Sequence, residues 1–257
     1  MSTALITGAS KGIGKAIAEE LAKRKYNLLL VARSGESLQN VANEFKEKYK
    51  VEVDYLAIDL SLPQSPEKVF NWCHEKNYTI SVLVNNAGYG LSGLFDKYSV
   101  AENTNMIQLN IIALVQLCQL FLPQLKQQTK SYILNIASSA AYQAVPYLSV
   151  YSASKTFVLS FSRGLRQELK KTSVSVTCIS PGSTDTDFVV RAQIGEKGLK
   201  TANKVNMQPR EVAAIAVDSM FAGKAEVVTG LINKLGAFMA WLMPKGLVET
   251  TAMKIYE

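Results

Sequence analysis

The chain has 257 residues, 48% of them hydrophobic, and a formal net charge of +7. That is enough apolar material for one substantial core, and a single domain over residues 1–257 is expected. The cations are dispersed among glutamates with no aromatic-interleaved basic stripe, which argues against nucleic-acid binding and leaves the positive balance to suit a small anionic ligand.

Apolar runs of strand length recur along the chain: TALIT at 3–7, YNLLLVAR at 26–33, VDYLAID at 53–59, ISVLVNNAG at 80–88, SYILNIASS at 131–139, VSVTCISPG at 174–182 and AEVVTG at 225–230. Between them lie stretches such as KAIAEELAKRK and ESLQNVANEFKEKYK, whose apolar residues repeat at three and four, the helical spacing. Strand, helix and strand in alternation imply right-handed crossovers and a parallel sheet covered on both faces. The expected fold is therefore a doubly wound α/β protein, a three-layer α/β/α sandwich. One long irregular stretch, 183–209, follows the sixth strand, where the ligand crevice of such a sheet opens.

Cys73, Cys118 and Cys178 are widely spaced, odd in number and set in apolar segments, so neither a disulfide framework nor a thiolate metal site is expected. The chain enters a strand at once, with no basic segment leading a long apolar run, and the expected compartment is the cytoplasm. The single histidine, His74, sits in a polar helical stretch, which argues against a histidine-based catalytic triad.

The first turn reads TGASKGIG. Gly8 permits the tight turn, Gly12 allows backbone to approach a pyrophosphate, and Gly14 permits close packing of the following helix. Phosphates then face the amides and dipole at a helix N-terminus. This makes the sheet Rossmann-like. At the end of the second strand, a site for the unphosphorylated dinucleotide usually offers an acid to the ribose, but this chain has Ala32 and then Arg33. Arg33 can pair with a 2′-phosphate and Lys11 adds a charge from the loop, so the expected cofactor is NADP(H).

Tyr151 and Lys155 stand four apart on an amphipathic helix and project from one face, with Ser138 at the end of the preceding strand. TGASKGIG, the NNAG at 85–88, Asn110, Ser138, Tyr151 with Lys155, and Pro181-Gly182 occur in the order and approximate spacing of the short-chain dehydrogenases and reductases. The sequence resembles that family over essentially its whole length. Its texture is similar to a bacterial branch of 3-oxoacyl and 17β-hydroxysteroid-type reductases, and Lys11 with Arg33 resembles the NADP(H)-preferring members.

The resemblance implies an oxidoreductase that interconverts a ketone or aldehyde with an alcohol by hydride transfer. Tyr151 is then the general acid and base, Lys155 the cation that lowers the phenol's pKa and bonds the nicotinamide ribose, and Ser138 the donor to the carbonyl oxygen. Asn110 is implied to position a water behind Lys155; a buried amide tied to backbone is the other reading. The cofactor contacts implied are Gly8, Ser10, Lys11, Gly12, Ile13 and Gly14 from the loop and Arg33 from the second strand. Asp59 and Leu60 are expected at the adenine, and Asn86, Ala87 and Gly88 after the fourth strand. Pro181, Gly182, Thr184 and Thr186 are expected at the nicotinamide, with Tyr151 and Lys155. The NNAG segment can equally be turn chemistry.

Substrate choice is expected from 183–209, from Tyr142 to Leu148 and from Tyr89 to Phe95, with an apolar wall that suits a hydrophobic carbonyl compound. The tail, 231–257, opens on an unusually apolar stretch, LINKLGAFMAWLMPKGL, but Lys234 and Pro244 interrupt it and its unbroken part is far shorter than the roughly 20 residues needed to span a bilayer. It has three possible uses: a subunit contact, a lid over the pocket, or, ranked last, a peripheral membrane foot using Phe238 and Trp241. Family members commonly pair through the helices that hold Asn110 and Tyr151, so a homodimer or homotetramer is expected. A non-catalytic NADP(H)-binding redox sensor or scaffold is the alternative function, disfavoured because pure binding needs no acid at Tyr151.

Overall fold

In a computed structural model of the chain, residues 2–185, 192, 195 and 206–256 are described. Seven strands, β1 (Thr3–Thr7), β2 (Asn27–Ala32), β3 (Val53–Ala57), β4 (Ile80–Asn85), β5 (Ser131–Ile136), β6 (Val174–Ser180) and β7 (Glu226–Val228), form one sheet in the order β3-β2-β1-β4-β5-β6-β7. Every neighbouring pair is parallel. The strands fall within the seven apolar runs; β1 fills its run and the other six are trimmed at their ends.

Because side chains alternate along a strand, the sheet feeds two cores. Leu5, Leu83 and Ile133 point to one layer, which is covered by helices α3 (Ser65–Glu75), α4 (Val100–Ile107), α5 (Ala113–Lys126) and α6 (Ser149–Glu168). Ala4, Ile6, Val82, Val84 and Leu134 point to the other, under α1 (Gly12–Lys23), α2 (Gly35–Tyr49) and α7 (Pro209–Phe221). Phe121 anchors the first core and Phe45 the second, each fully buried, and each burial contributes on the order of 2 kcal/mol. Between α4 and α5 the helix runs through a π-turn, Gln108–Ile112, with Asn110 in it. A single turn of this kind inside an α-helix is characteristic of functional sites.

After β3 the chain returns to place β4 beside β1, so the strand order reverses between β1 and β4. Loops leaving the carboxyl ends of these strands diverge and open a crevice there. The tail folds as α8 (Leu231–Leu242) and α9 (Lys245–Tyr256), joined at Met243 and Pro244.

Candidate active site

The crevice is a cavity of about 730 Å³. Its floor is the glycine loop between β1 and α1. A side chain at Gly14 would put Cβ 2.2 Å from the Gly8 carbonyl oxygen and 2.4 Å from Asn86 Nδ2, so only glycine lets helix and turn approach this closely. Gly8 itself sits at φ +66°, donating to the Val31 carbonyl at 2.7 Å. Gly8, Ser10, Lys11, Gly12 and Ile13 face the cavity, while Gly14 lies behind them as packing.

The NNAG segment serves as turn chemistry. Asn86 Nδ2 donates to the carbonyls of Thr7 (3.0 Å) and Gly8 (3.2 Å), and the amides of Asn86 and Ala87 donate to Thr7 Oγ1. The segment thus braces the glycine loop, and Asn86, Ala87 and Gly88 also line the cavity.

At one end the lining comprises Arg33, Ser34, Ser37, Ile58, Asp59 and Leu60. Arg33 follows β2 as an exposed side chain, with Nη1 3.9 Å from Asp59 Oδ2, and the exposed Lys11 stands on the loop. An exposed pair this long holds Arg33 only weakly. Asp59 is committed elsewhere, accepting from the amide and hydroxyl of Ser61. Ser34 caps α2 by accepting from Ser37 N at 3.3 Å. Cations and hydroxyls at a helix N-terminus form a phosphate-receiving corner, and the cradle that a Cβ would fill suits a pyrophosphate beside it. The donor set therefore fits a nicotinamide dinucleotide.

At the other end Ser138, Tyr151 and Lys155 meet on one wall. Ser138 is hydrogen-bonded to the Tyr151 phenol and accepts from Ala140 N at 3.1 Å. Lys155 Nζ donates to the Ile136 carbonyl at 2.9 Å and lies 5.9 Å from the centroid of the Tyr151 ring. Burial dominates both groups. It pushes Tyr151 up to about 12, opposed by the Ser138 hydrogen bond and reinforced by Tyr256, and it brings Lys155 down to about 8. Desolvation outweighs the Ser138 hydrogen bond at the phenol, and the Lys155 ammonium is turned to a backbone carbonyl.

Asn110 is a buried amide tied to backbone, one of the two compatible uses expected of it. Its Oδ1 accepts from Tyr89 N at 3.0 Å, and its Nδ2 donates to Tyr89 O (2.9 Å) and to Ser154 Oγ (3.0 Å). Ser154 Oγ in turn donates to the Tyr151 carbonyl at 2.7 Å. The buried amide thus ties the segment after β4 to the helix that carries Tyr151 and Lys155. A side chain at Gly88 would come within 3.0 Å of Asn110 Oδ1 and 3.3 Å of Lys155 Nζ, so these two groups border the same glycine.

Pro181, Gly182, Ser183 and Thr184 complete the wall after β6, but Thr186 and most of 183–209 lie outside the described residues. Of the expected apolar wall, Tyr89, Gln143, Val145 and Leu148 line the cavity, whereas Tyr142 turns away to Ser180 and Glu226. Sequence reasoning did not place Ser34, Ser37, Asn233, Ala252, Ile255 or Tyr256 here, yet all six line the cavity. Ala252, Ile255 and Tyr256, at helical spacing on α9, roof the catalytic end; that spacing was the signal available. Among the described residues no cluster of His, Cys, Asp and Glu could hold a metal ion.

A family model described as "short chain dehydrogenase" matches residues 2–197. Among curated proteins, "Very-long-chain 3-oxoacyl-CoA reductase-A" of Danio rerio is 39% identical over 185 residues, 69% of this chain and 56% of that protein. The chain thus spans a little over half the length of this relative. Among solved structures, a short-chain dehydrogenase from Sphingobium yanoikuyae in complex with NADPH superposes with a TM-score of 0.84 at 30% identity, covering 96% of this chain and 95% of that one. A "bulky-bulky ketone specific alcohol dehydrogenase" from Comamonas testosteroni gives 0.78 at 29% identity, covering 95% and 94%.

Proposed function

The chain belongs to the short-chain dehydrogenase family of oxidoreductases, and from that membership and the cavity we propose that it is an NADP(H)-dependent enzyme interconverting an apolar ketone or aldehyde with its alcohol. The observation that carries the reading is one cavity with Tyr151, Ser138 and Lys155 at one end and Arg33 with Lys11 at the other. When bound, the nicotinamide supplies or takes up the hydride. The glycine loop and the first turn of α1 hold the pyrophosphate, and Arg33 and Lys11 receive the 2′-phosphate that distinguishes NADP(H). The NADPH complex of the Sphingobium structure supports that choice.

Ser138 donates to the carbonyl oxygen and aligns it with Tyr151. Tyr151, held protonated by its burial, gives its proton to that oxygen as negative charge develops there. The buried Lys155 carries positive charge beside the phenol and offsets the phenolate left behind. A redox sensor or scaffold would leave this acid without a use.

The lining from Tyr89, Val145, Leu148, Ala252 and Ile255 favours a bulky apolar substrate, as do the ketone and 3-oxoacyl relatives. Three free, buried cysteines are compatible with a reducing cytoplasm. Ile107, Ile112 and Phe157, exposed on the two long helices, offer an apolar face through which copies associate as a dimer or tetramer.

The test is NADPH oxidation against bulky ketones, aldehydes, 3-oxoacyl thioesters and steroids, with NADH alongside. Turnover is expected with NADPH, and Lys11→Ala with Arg33→Ala should erode the preference over NADH by about tenfold or more. NADPH binding without turnover on any substrate of the panel would favour the sensor; an unchanged preference would remove the two cations from their role.

A further inference from the structure

Helix α8 is built the wrong way round for a surface helix of a soluble protein. Asn233, Ala237 and Ala240, small or polar, turn toward the protein and are only half-exposed, and none of its residues is buried. Leu231 (82% exposed), Ile232, Leu235, Phe238, Met239, Trp241 (78%) and Leu242 turn outward. At 3.6 residues per turn these seven occupy about half the circumference, interrupted only by Lys234. The other strongly apolar helical stretch, Val100–Lys126, buries much of its length within the chain, including Leu117, Phe121 and Leu125. Nothing in the described chain does the same for α8.

Two observations identify what covers it. The first is the makeup of the strip: seven large apolar side chains, Phe238 and Trp241 among them, on a helix whose one charged residue is Lys234 and which carries no acid. The second is charge. Over residues 231–256, Lys234, Lys245 and Lys254 are all exposed and face a single acid, the half-exposed Glu249, in a chain of net charge +7. An apolar strip that carries Lys234, holds Trp241 near its end and is followed by Lys245 matches the boundary of an anionic lipid layer: apolar side chains enter the acyl edge, indole sits at headgroup level, and lysine stems reach back to phosphates.

We propose that α8 is an interfacial foot that seats this protein on an anionic lipid surface. The tail then divides its labour, with α9 roofing the cavity and α8 resting in the headgroup layer. This raises the use that sequence reasoning ranked last. Asn233, on the inward side of α8, lines the cavity that Ala252, Ile255 and Tyr256 of α9 roof, so the foot is the outer side of a helix whose inner side borders that cavity. The foot does not depend on the reaction assigned to the cavity, and its test reads binding alone.

The experiment is co-sedimentation of the full chain with vesicles of phosphatidylcholine containing phosphatidylglycerol and with vesicles of phosphatidylcholine alone. A triple variant, Leu235→Glu/Phe238→Glu/Trp241→Glu, is run in parallel; all three positions are exposed, and its thermal unfolding serves as the folding control. In a Trp72→Phe background, Trp241 emission reports insertion directly. The wild type is expected to pellet with anionic vesicles in a salt-sensitive way and to shift its emission to the blue, and the triple variant to lose about tenfold or more of its partitioning. Three results would overturn the foot: wild type left in the supernatant with both vesicles, a folded triple variant that partitions like wild type, or a wild-type oligomer that the variant dissociates without either binding lipid. The last would make a second copy the cover.

Discussion

Lys155→Met should stabilise the fold while it disables the enzyme. Burial brings the Lys155 ammonium from its usual 10.5 to about 8. At about 1.4 kcal/mol for each factor of ten in proton affinity, keeping it charged in the folded state costs about 3 kcal/mol at neutral pH. Methionine fills a similar volume without charge; losing the hydrogen bond to Ile136 returns about 1 kcal/mol, leaving a gain of about 2. In a chain of this size that raises the melting temperature by roughly 4–8 °C.

The pH dependence carries a sign that can be checked. Between about 8 and 10.5 the unfolded chain binds the proton that folded Lys155 has released, so wild-type stability rises with pH across that window relative to the variant. Differential scanning calorimetry at neutral pH and at several alkaline values reads both effects. A variant no more stable than wild type at neutral pH, or one whose advantage does not shrink as pH climbs from 8 to 10.5, would refute the account of Lys155 as a buried, strained cation.

Other perturbations separate the roles of neighbouring groups. Tyr151→Phe should lower turnover by about 10²–10⁴-fold with the affinity for NADPH, measured by fluorescence titration, retained; near-normal turnover would remove Tyr151 as the acid. Gly14→Ala forces a Cβ against the Gly8 carbonyl at 2.2 Å. It should cost roughly 1–3 kcal/mol in denaturant unfolding and weaken dinucleotide binding. Tyr256→Ala removes part of the roof and one of the influences that raise Tyr151. The alkaline limb of alcohol oxidation should therefore move to lower pH and KM for apolar substrates should rise; an unmoved pH profile would detach α9 from the acid.

What could be read in advance was whatever depends on local spacing. Apolar runs of strand length marked seven strands, because a strand whose Leu5, Leu83 or Ile133 faces one layer while its neighbours face the other is buried on both sides. The glycine loop was legible because Gly8 and Gly14 are required by contacts within one strand–turn–helix unit. Tyr151 and Lys155 were legible because a helix fixes their relation. What escaped depends on distant segments meeting. That Asn110 is a buried amide tied to backbone was legible, but its partners Tyr89 and Ser154 were not, because they meet it from two distant segments. Ala252, Ile255 and Tyr256 reach the cavity by a reversal at Met243 and Pro244, and the tail's apolarity alone could not assign one half to the cavity and the other to an outer surface.

The direction in which Tyr151 departs from its expected pKa follows from that closure. A phenol lowered toward neutrality needs water or a cation at its oxygen, but here α9 covers the site and the Lys155 ammonium is bonded to Ile136. Desolvation then penalises phenolate and charged lysine alike, moving the phenol up and the amine down. Reduction, which needs the proton in place, meets nearly every site ready, whereas oxidation must first remove it. The phenol therefore rests protonated, and opening the roof should lower its pKa and move the alkaline limb of alcohol oxidation to lower pH without altering the equilibrium between ketone and alcohol.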